Sequence, residues 1–232
     1  MSNLDIIGIL AKVGYIYVPF LFALCFHEFS HAWMSKRLGD NTAEMMGRLT
    51  LNPMAHMVLI GTVILPLSCI VFEPKIAAAA PPLFFGWAKP VPYNPRNLKN
   101  LKRDEFWIAS AGPLSNVLLA MVASMIWGLL AGLELIPRNT GILDYAFRSF
   151  IIINLFLAVF NMIPIHPLDG GKVLARFISH KANQWLLENQ QMLSIVLMAL
   201  VFTGSLRVLA IPVIFIYQHL IGLANLVSML VT

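Results

Sequence analysis

The chain has 232 residues, of which 59% are hydrophobic and 12% charged, with a mean hydropathy of +0.77. Soluble domains carry about a quarter charged residues, so this balance excludes an ordinary water-soluble enzyme and points to a membrane protein. The net charge of +5 comes without an aromatic-interleaved basic patch, so it reads as loop lysines and arginines facing an anionic leaflet, and no nucleic-acid partner is expected.

The first apolar run covers about 13–35. No short basic start and small-residue cleavage site precede it, so it is expected to be retained and not removed as a signal peptide. It contains His27-Glu28-Phe29-Ser30-His31, an HExxH motif. Two histidines four residues apart share one face of a helix and can grip one Zn²⁺, with Glu28 placed to take a proton from a water on the metal. Three ionisable groups are costly inside a bilayer, which favours a functional site over a solvated helix face. Cys25 points well away from His27 on a helix and reads as a small buried hydrophobe.

Further apolar runs lie at about 54–72, 76–88, 105–133, 142–165, 191–205 and 208–231. Several approach the ~20 residues that a helix needs to span the hydrocarbon core. Pro81, Pro82 and Gly86 interrupt the 76–88 run, so 54–72 and 76–88 are expected to form an in-and-out hairpin, one limb re-entrant or strand-like. Residues 89–104 turn polar and basic, as suits an interfacial loop. Pro212 and Arg207 favour two helices within 191–232. The fold expected is all-α and polytopic, with about six transmembrane helices around a three-helix catalytic core.

A catalytic zinc needs a third protein ligand and an open position. Asp169, His56, His166 and Glu44 are the candidates. Asp169 lies in Asn161-Met-Ile-Pro-Ile-His-Pro-Leu-Asp169-Gly170-Gly171, where prolines and glycines break the helix at membrane depth; such backbone is tolerated only in protein or along a wet cavity. Taken alone it could simply cap the next helix, but beside HExxH the ligand reading is preferred. If His27, His31 and Asp169 are to meet at one depth, the 13–35 and 142–165 helices must run parallel, with 105–133 opposite. Lys36, Arg37, Arg48, Lys89, Arg96, Lys99, Lys102, Arg103, Lys172, Arg176 and Lys181 then fall at the HExxH end, and Lys12, Lys75, Arg138, Arg148 and Arg207 at the other. Eleven against five is the asymmetry expected if the site opens toward the cytoplasm.

HEFSH with Asn-x-x-Pro-x-x-Pro-Leu-Asp-Gly-Gly resembles the site-2 protease family of intramembrane zinc metalloproteases. Ser110-Ala-Gly-Pro-Leu-Ser-Asn116 resembles that family's middle core helix, and Phe85-Gly-Trp-Ala-Lys-Pro-Val-Pro92 its smaller bacterial and archaeal members. The likeness covers roughly 20–180. It implies a prokaryotic cell-membrane enzyme that cleaves transmembrane segments of other proteins with one Zn²⁺ per chain. The implied ligands are His27, His31 and Asp169, with Glu28 as base, in a single domain over 1–232 (core about 13–180, C-terminal helices about 190–232). No insert is long enough for the PDZ module of many relatives. The oxyanion needs donors besides the metal. Asn161 could supply its amide and is favoured by the resemblance; Asn116 is the second choice, and an interhelical hydrogen bond is the alternative for each. His56 reads as an interfacial anchor or a substrate contact, and His166 as solvent-facing. The rival functions are a membrane metal carrier, which should string ionisable groups through several helices, and a catalytically silent protein that binds helices or metal.

Overall fold

The computed structural model describes residues 6–71, 86–138 and 140–231, and among these it is helical with no strand. Helix α1 (Ile6–Lys12) runs through a π-helical turn (Val13–Tyr17) into α2 (Val18–Arg37). The short α3 (Thr42–Met45) follows, and then a π turn (Leu59–Ile64) leading into α4 (Leu65–Val71). After the segment from Gly86 come α5 (Leu101–Gly132), α6 (Ile142–Asn161), α7 (Asp169–Ala175), α8 (His180–Glu188), α9 (Gln190–Phe202) and α10 (Ala210–Met229).

Among the described residues four helices are long and apolar enough to cross a membrane: Ile6–Arg37, Leu101–Gly132, Ile142–Asn161 and Ser205–Met229. They account for four of the about six spans expected. The apolar runs at 54–72 and 191–205 yield helices Leu59–Val71 and Gln190–Val201. At a rise of about 1.5 Å per residue Gln190–Val201 reaches about 18 Å, short of a ~30 Å hydrocarbon core, while Leu59–Val71 runs up to the edge of the described residues. Gly204, with φ +72°, ends α9 in the left-handed conformation, so 191–232 holds two helices. Most of the 76–88 limb of the expected hairpin lies outside the described residues.

The three core helices alternate in direction, as the depth argument requires. His31 of α2 meets Ile108 of α5 while Asn116 reaches Ala23, so α2 and α5 are antiparallel. Asn116 meets Asn154 of α6 while Trp127 donates to Asp144, so α5 and α6 are antiparallel too. Two apolar clusters seal the bundle. Phe20, Ala23, Leu24, Ile153 and Leu157 join α2 to α6, and Ala120, Ala123, Ile151, Leu155 and Val213 join α5, α6 and α10. The α5–α10 contact depends on missing side chains. A Cβ on Gly128 would lie 2.2 Å from the Ala224 carbonyl oxygen, and one on Gly132 would lie 2.6 Å from that of Ser228. Small residues of this kind let membrane helices pack backbone to backbone.

Beyond α2 the fully buried Asp40 ties the polar connections together. Its carboxylate accepts from Ser35 Oγ at 3.0 Å, Thr42 N at 3.2 Å and Thr42 Oγ1 at 2.5 Å. It also accepts from Asn94 N at 3.0 Å and Asn97 Nδ2 at 2.7 Å, which pins the 86–97 segment to the end of α2.

Candidate active site

His27 and His31 lie one turn apart on the buried face of α2, and their Nε2 atoms are 3.0 Å apart. Each ring is held from behind by α5. His27 Nδ1 is 2.6 Å from Asn116 Oδ1, and His31 Nδ1 is 2.7 Å from the Ile108 carbonyl oxygen. Ile108, Gly112 and Asn116 form one four-residue-spaced face of α5 that runs antiparallel past His31, His27 and Ala23. Pro113 removes the N–H that would bond the Ala109 carbonyl, which loosens α5 beside this contact.

Asp169 arrives from the other side, at the first position of α7 after the break that ends α6. Its Oδ2 is 3.2 Å from His27 Nε2 and 3.3 Å from His31 Nε2. Two glycines allow this placement. A Cβ on Gly170 would come within 2.3 Å of the Ile163 carbonyl oxygen, and one on Gly171 within 2.7 Å of His166 N. Without that close approach the 162–168 turn could not fold back under α7 and bring the carboxylate to the imidazoles.

The three donors lie within 4.8 Å of one another and fit a zinc ion on two counts. Bonds of about 2.0–2.1 Å at tetrahedral angles hold donor atoms about 3.3 Å apart, close to the spacing observed. Gly112 also leaves room for the ion, since a Cβ there would lie 2.4 Å from His31 Nε2 and 2.6 Å from His27 Nε2. Two neutral imidazoles and one carboxylate are a donor set typical of catalytic zinc, which keeps a further position free.

These donors line a cavity of about 390 Å³. Glu28 and Asn161 face it, as do Leu24, Leu157 and Phe160 from the core, Trp87, Ala88, Pro90, Val91 and Tyr93 from the 86–93 segment, and Ser194, Leu197 and Met198 from α9. The Tyr93 hydroxyl donates to Glu105 Oε1 at 2.8 Å; burial, then the Glu105 charge, pushes its pKa above the ordinary tyrosine range and keeps it protonated. Lys172 Nζ stands 5.1 Å over the Tyr93 ring.

Other residues singled out from the sequence fall differently. Glu44 pairs with Lys36 at 2.6 Å on the surface, away from the donors. His56 is neither an interfacial anchor nor a cavity residue. It is 1% exposed, its Nε2 bonds the Thr50 carbonyl, and its own carbonyl accepts from Lys89 N, so it props the 86–93 segment from beneath. His166, expected to face solvent, is 5% exposed because the turn before α7 folds inward. Burial, then the Lys172 charge, holds its pKa below the ordinary histidine value. The Asn116 amide nitrogen faces Ala23 and Asn154 and not the cavity, which removes it as an oxyanion donor. Cys25 is buried as expected, its thiol against the Leu51 carbonyl at 3.0 Å. From the sequence, Gly112 reads only as a point of close helix approach or a kink and Arg48 only as one of the basic residues at the HExxH end, while Asp40 is passed over. The buried Arg48 donates through one guanidinium nitrogen to the Lys89 and Pro90 carbonyls. For Gly112 the signal was present in the 108/112/116 spacing set against 31/27/23. For Asp40 and Arg48, whose partners in the 86–97 segment lie 41 to 57 residues away, it was not.

Known proteins resemble the chain in sequence. The model of Peptidase family M50 matches residues 137–204. YwhC of Bacillus subtilis is 33% identical over 167 residues, covering 71% of this chain and 69% of YwhC. Rip2 of Mycolicibacterium smegmatis is 25% identical over 211 residues, covering 88% of this chain and 73% of Rip2. MJ0611 of Methanocaldococcus jannaschii is 48% identical over 67 residues, covering 29% of this chain and 31% of that protein. All three carry names that provisionally call them zinc metalloproteases. No solved structure matches. With its membrane-length helices, its HExxH motif and its similarity to YwhC, the chain belongs to Peptidase family M50, the site-2 protease family, and is an integral membrane protein.

Proposed function

We propose that the protein is an intramembrane zinc endopeptidase that cleaves transmembrane segments of other membrane proteins, with one Zn²⁺ held by His27, His31 and Asp169. The observation that carries this reading is the convergence of those three donors on a cavity that Glu28 also faces. When bound, zinc supplies Lewis acidity, polarising the scissile carbonyl and bringing the pKa of water toward about 7. Glu28 takes the proton of the attacking water and returns it to the leaving amine. Asn161 already donates one N–H to the Leu157 carbonyl at 3.0 Å, and we assign its second N–H to the oxyanion. The whole chain acts as one catalytic domain, and its basic end faces the cytoplasm.

A transmembrane helix hides its peptide bonds in internal hydrogen bonds and must unwind before it is cut. We assign the unwound strand to the Gly86–Val91 edge. Trp87 N donates to the Gly61 carbonyl at 3.1 Å and Lys89 N to the His56 carbonyl at 2.8 Å, while Thr62 Oγ1 donates to the Trp87 carbonyl at 2.9 Å. Residues 87 and 89 thus bond away from the cavity, and alternation turns the Ala88 N–H and C=O toward a peptide lying in it. This hydrogen-bonded edge is the only part of the expected hairpin on which the proposal draws.

The test is the purified protein in proteoliposomes with a panel of single-pass membrane reporters. The wild type should contain one zinc per chain and release cleaved reporter. Glu28→Gln should keep the zinc and lose cleavage, whereas Asp169→Ala should lose both. Cleavage that survives in Glu28→Gln refutes the mechanism, and a wild type that takes up no zinc refutes the reading.

A further inference from the structure

We infer that Asn116 is a positioning residue, locked by Asn154, which fixes His27 in the one tautomer able to bind metal. The inference deepens the proposed zinc site and rests on it. A chain of amides crosses from α6 through α5 to α2. Both asparagines are fully buried, so each amide proton must find a protein partner.

The order of donors is set by two backbone carbonyls, which can only accept. Asn154 faces the Phe150 carbonyl at 2.8 Å, and the group it turns there must be its NH₂. Its oxygen therefore points to Asn116. Asn116 faces the Ala23 carbonyl at 3.2 Å and Asn154 Oδ1 at 2.8 Å, so its NH₂ gives both protons to these two acceptors. What remains for His27 is Asn116 Oδ1, an acceptor with no proton, 2.6 Å from Nδ1. An acceptor at that distance requires an N–H, because two lone pairs would repel. A neutral imidazole has one N–H. With it on Nδ1, the Nε2 lone pair is left facing His31 and Asp169, where a metal ligand needs it.

The two histidines differ in how this is achieved. His31 gives its Nδ1–H to the Ile108 backbone carbonyl, which no substitution can remove. The orientation of His27 hangs on side chains alone. Were the Asn116 amide reversed, its NH₂ would favour a lone pair on Nδ1 and a proton on Nε2, the state that cannot ligate. Asn154 is what prevents that reversal.

The test uses purified full-length protein in detergent and reads zinc affinity by competition with a chromophoric chelator, together with the visible spectrum of the Co²⁺-substituted protein. Asn116→Leu keeps the volume and deletes the acceptor; it is expected to bind zinc about 10–100-fold more weakly and to change the Co²⁺ bands. Asn116→Asp keeps an oxygen against Nδ1 and gives up the bonds to Ala23 and Asn154. It should recover most of the affinity, although it damages the packing network as much as leucine does. Zinc binding by Asn116→Leu equal to wild type overturns the inference. So does equal weakening in the leucine and aspartate variants, which would mean that packing and not the acceptor matters. If Asn116→Leu fails to fold, Asn154→Leu replaces it. That variant frees the amide to reverse and should weaken zinc binding in the same direction, and unchanged binding would again overturn the inference. Zinc in the wild type and in Glu28→Gln separates failure of this inference from failure of the zinc site itself.

Discussion

Replacing Asp40 by asparagine isolates how far one buried charge holds the cavity wall in place. Burial by itself pushes the Asp40 carboxyl pKa up, but hydrogen bonds from Thr42, Asn97, Asn94 and Ser35 outweigh it and bring the pKa from 3.8 to about 2. That difference corresponds to about 2 kcal/mol of folding stability carried by the ionised form. The sign follows from the direction. A carboxylate with a depressed folded-state pKa stabilises fully above its unfolded pKa, and the contribution is lost as pH falls from about 4 to about 2. Asp40→Asn should therefore be at least about 2 kcal/mol less stable than wild type at pH 7. The difference should shrink by about that amount on acidification to pH 2. Equilibrium unfolding in mixed detergent micelles, followed by helical circular dichroism at each pH, measures it. If the wild-type and Asp40→Asn stabilities run parallel across this range, the carboxylate is not the tie described.

Three further outcomes are expected. Gly112→Ala places a methyl group 2.4 Å from His31 Nε2, in the space a bound ion needs, and should lose zinc by metal analysis while circular dichroism stays helical. Gly128→Ala meets the Ala224 carbonyl at 2.2 Å and should cost about 1–3 kcal/mol in the same unfolding assay by forcing α5 and α10 apart. Arg48→Met leaves the Lys89 and Pro90 carbonyls without their donor, worth about 1–3 kcal/mol locally; reporter cleavage should slow with zinc content unchanged, and a wild-type rate would remove Arg48 from the support of this edge.

What could be read in advance was whatever chemistry ties to spacing along one element. His27 and His31 had to share a face of α2, and Asp169 had to meet them if the helices alternated in direction. The registers of Ile108 with His31 and of Trp127 with Asp144 show that they do. Helix number was legible only in part, because hydropathy measures apolar length and not unbroken helix. The run at 191–205 holds the 13-residue helix Gln190–Phe202, and the run at 54–72 is helical from Leu59 to Val71, where the described residues stop. Polar loop residues were the least legible. The burial of His56 depends on Lys89, 33 positions later, and that of His166 on a turn folded beneath Gly171. The direction of the Asn116 amide depends on which carbonyls face it, and no pattern in one chain reveals that.

The glycine crossing at Gly128 and the void at Gly112 lie on the same helix, 16 residues or about 24 Å apart along its axis. α5 is therefore a lever whose fulcrum lies far from the reacting atoms. A tilt of about 3° at the crossing swings the void by about 1 Å, and misplacement on that scale can cost an active site about 100-fold in rate. Substitutions or small molecules that wedge α5 from α10 should accordingly abolish the proposed cleavage without approaching His27, His31 or Asp169.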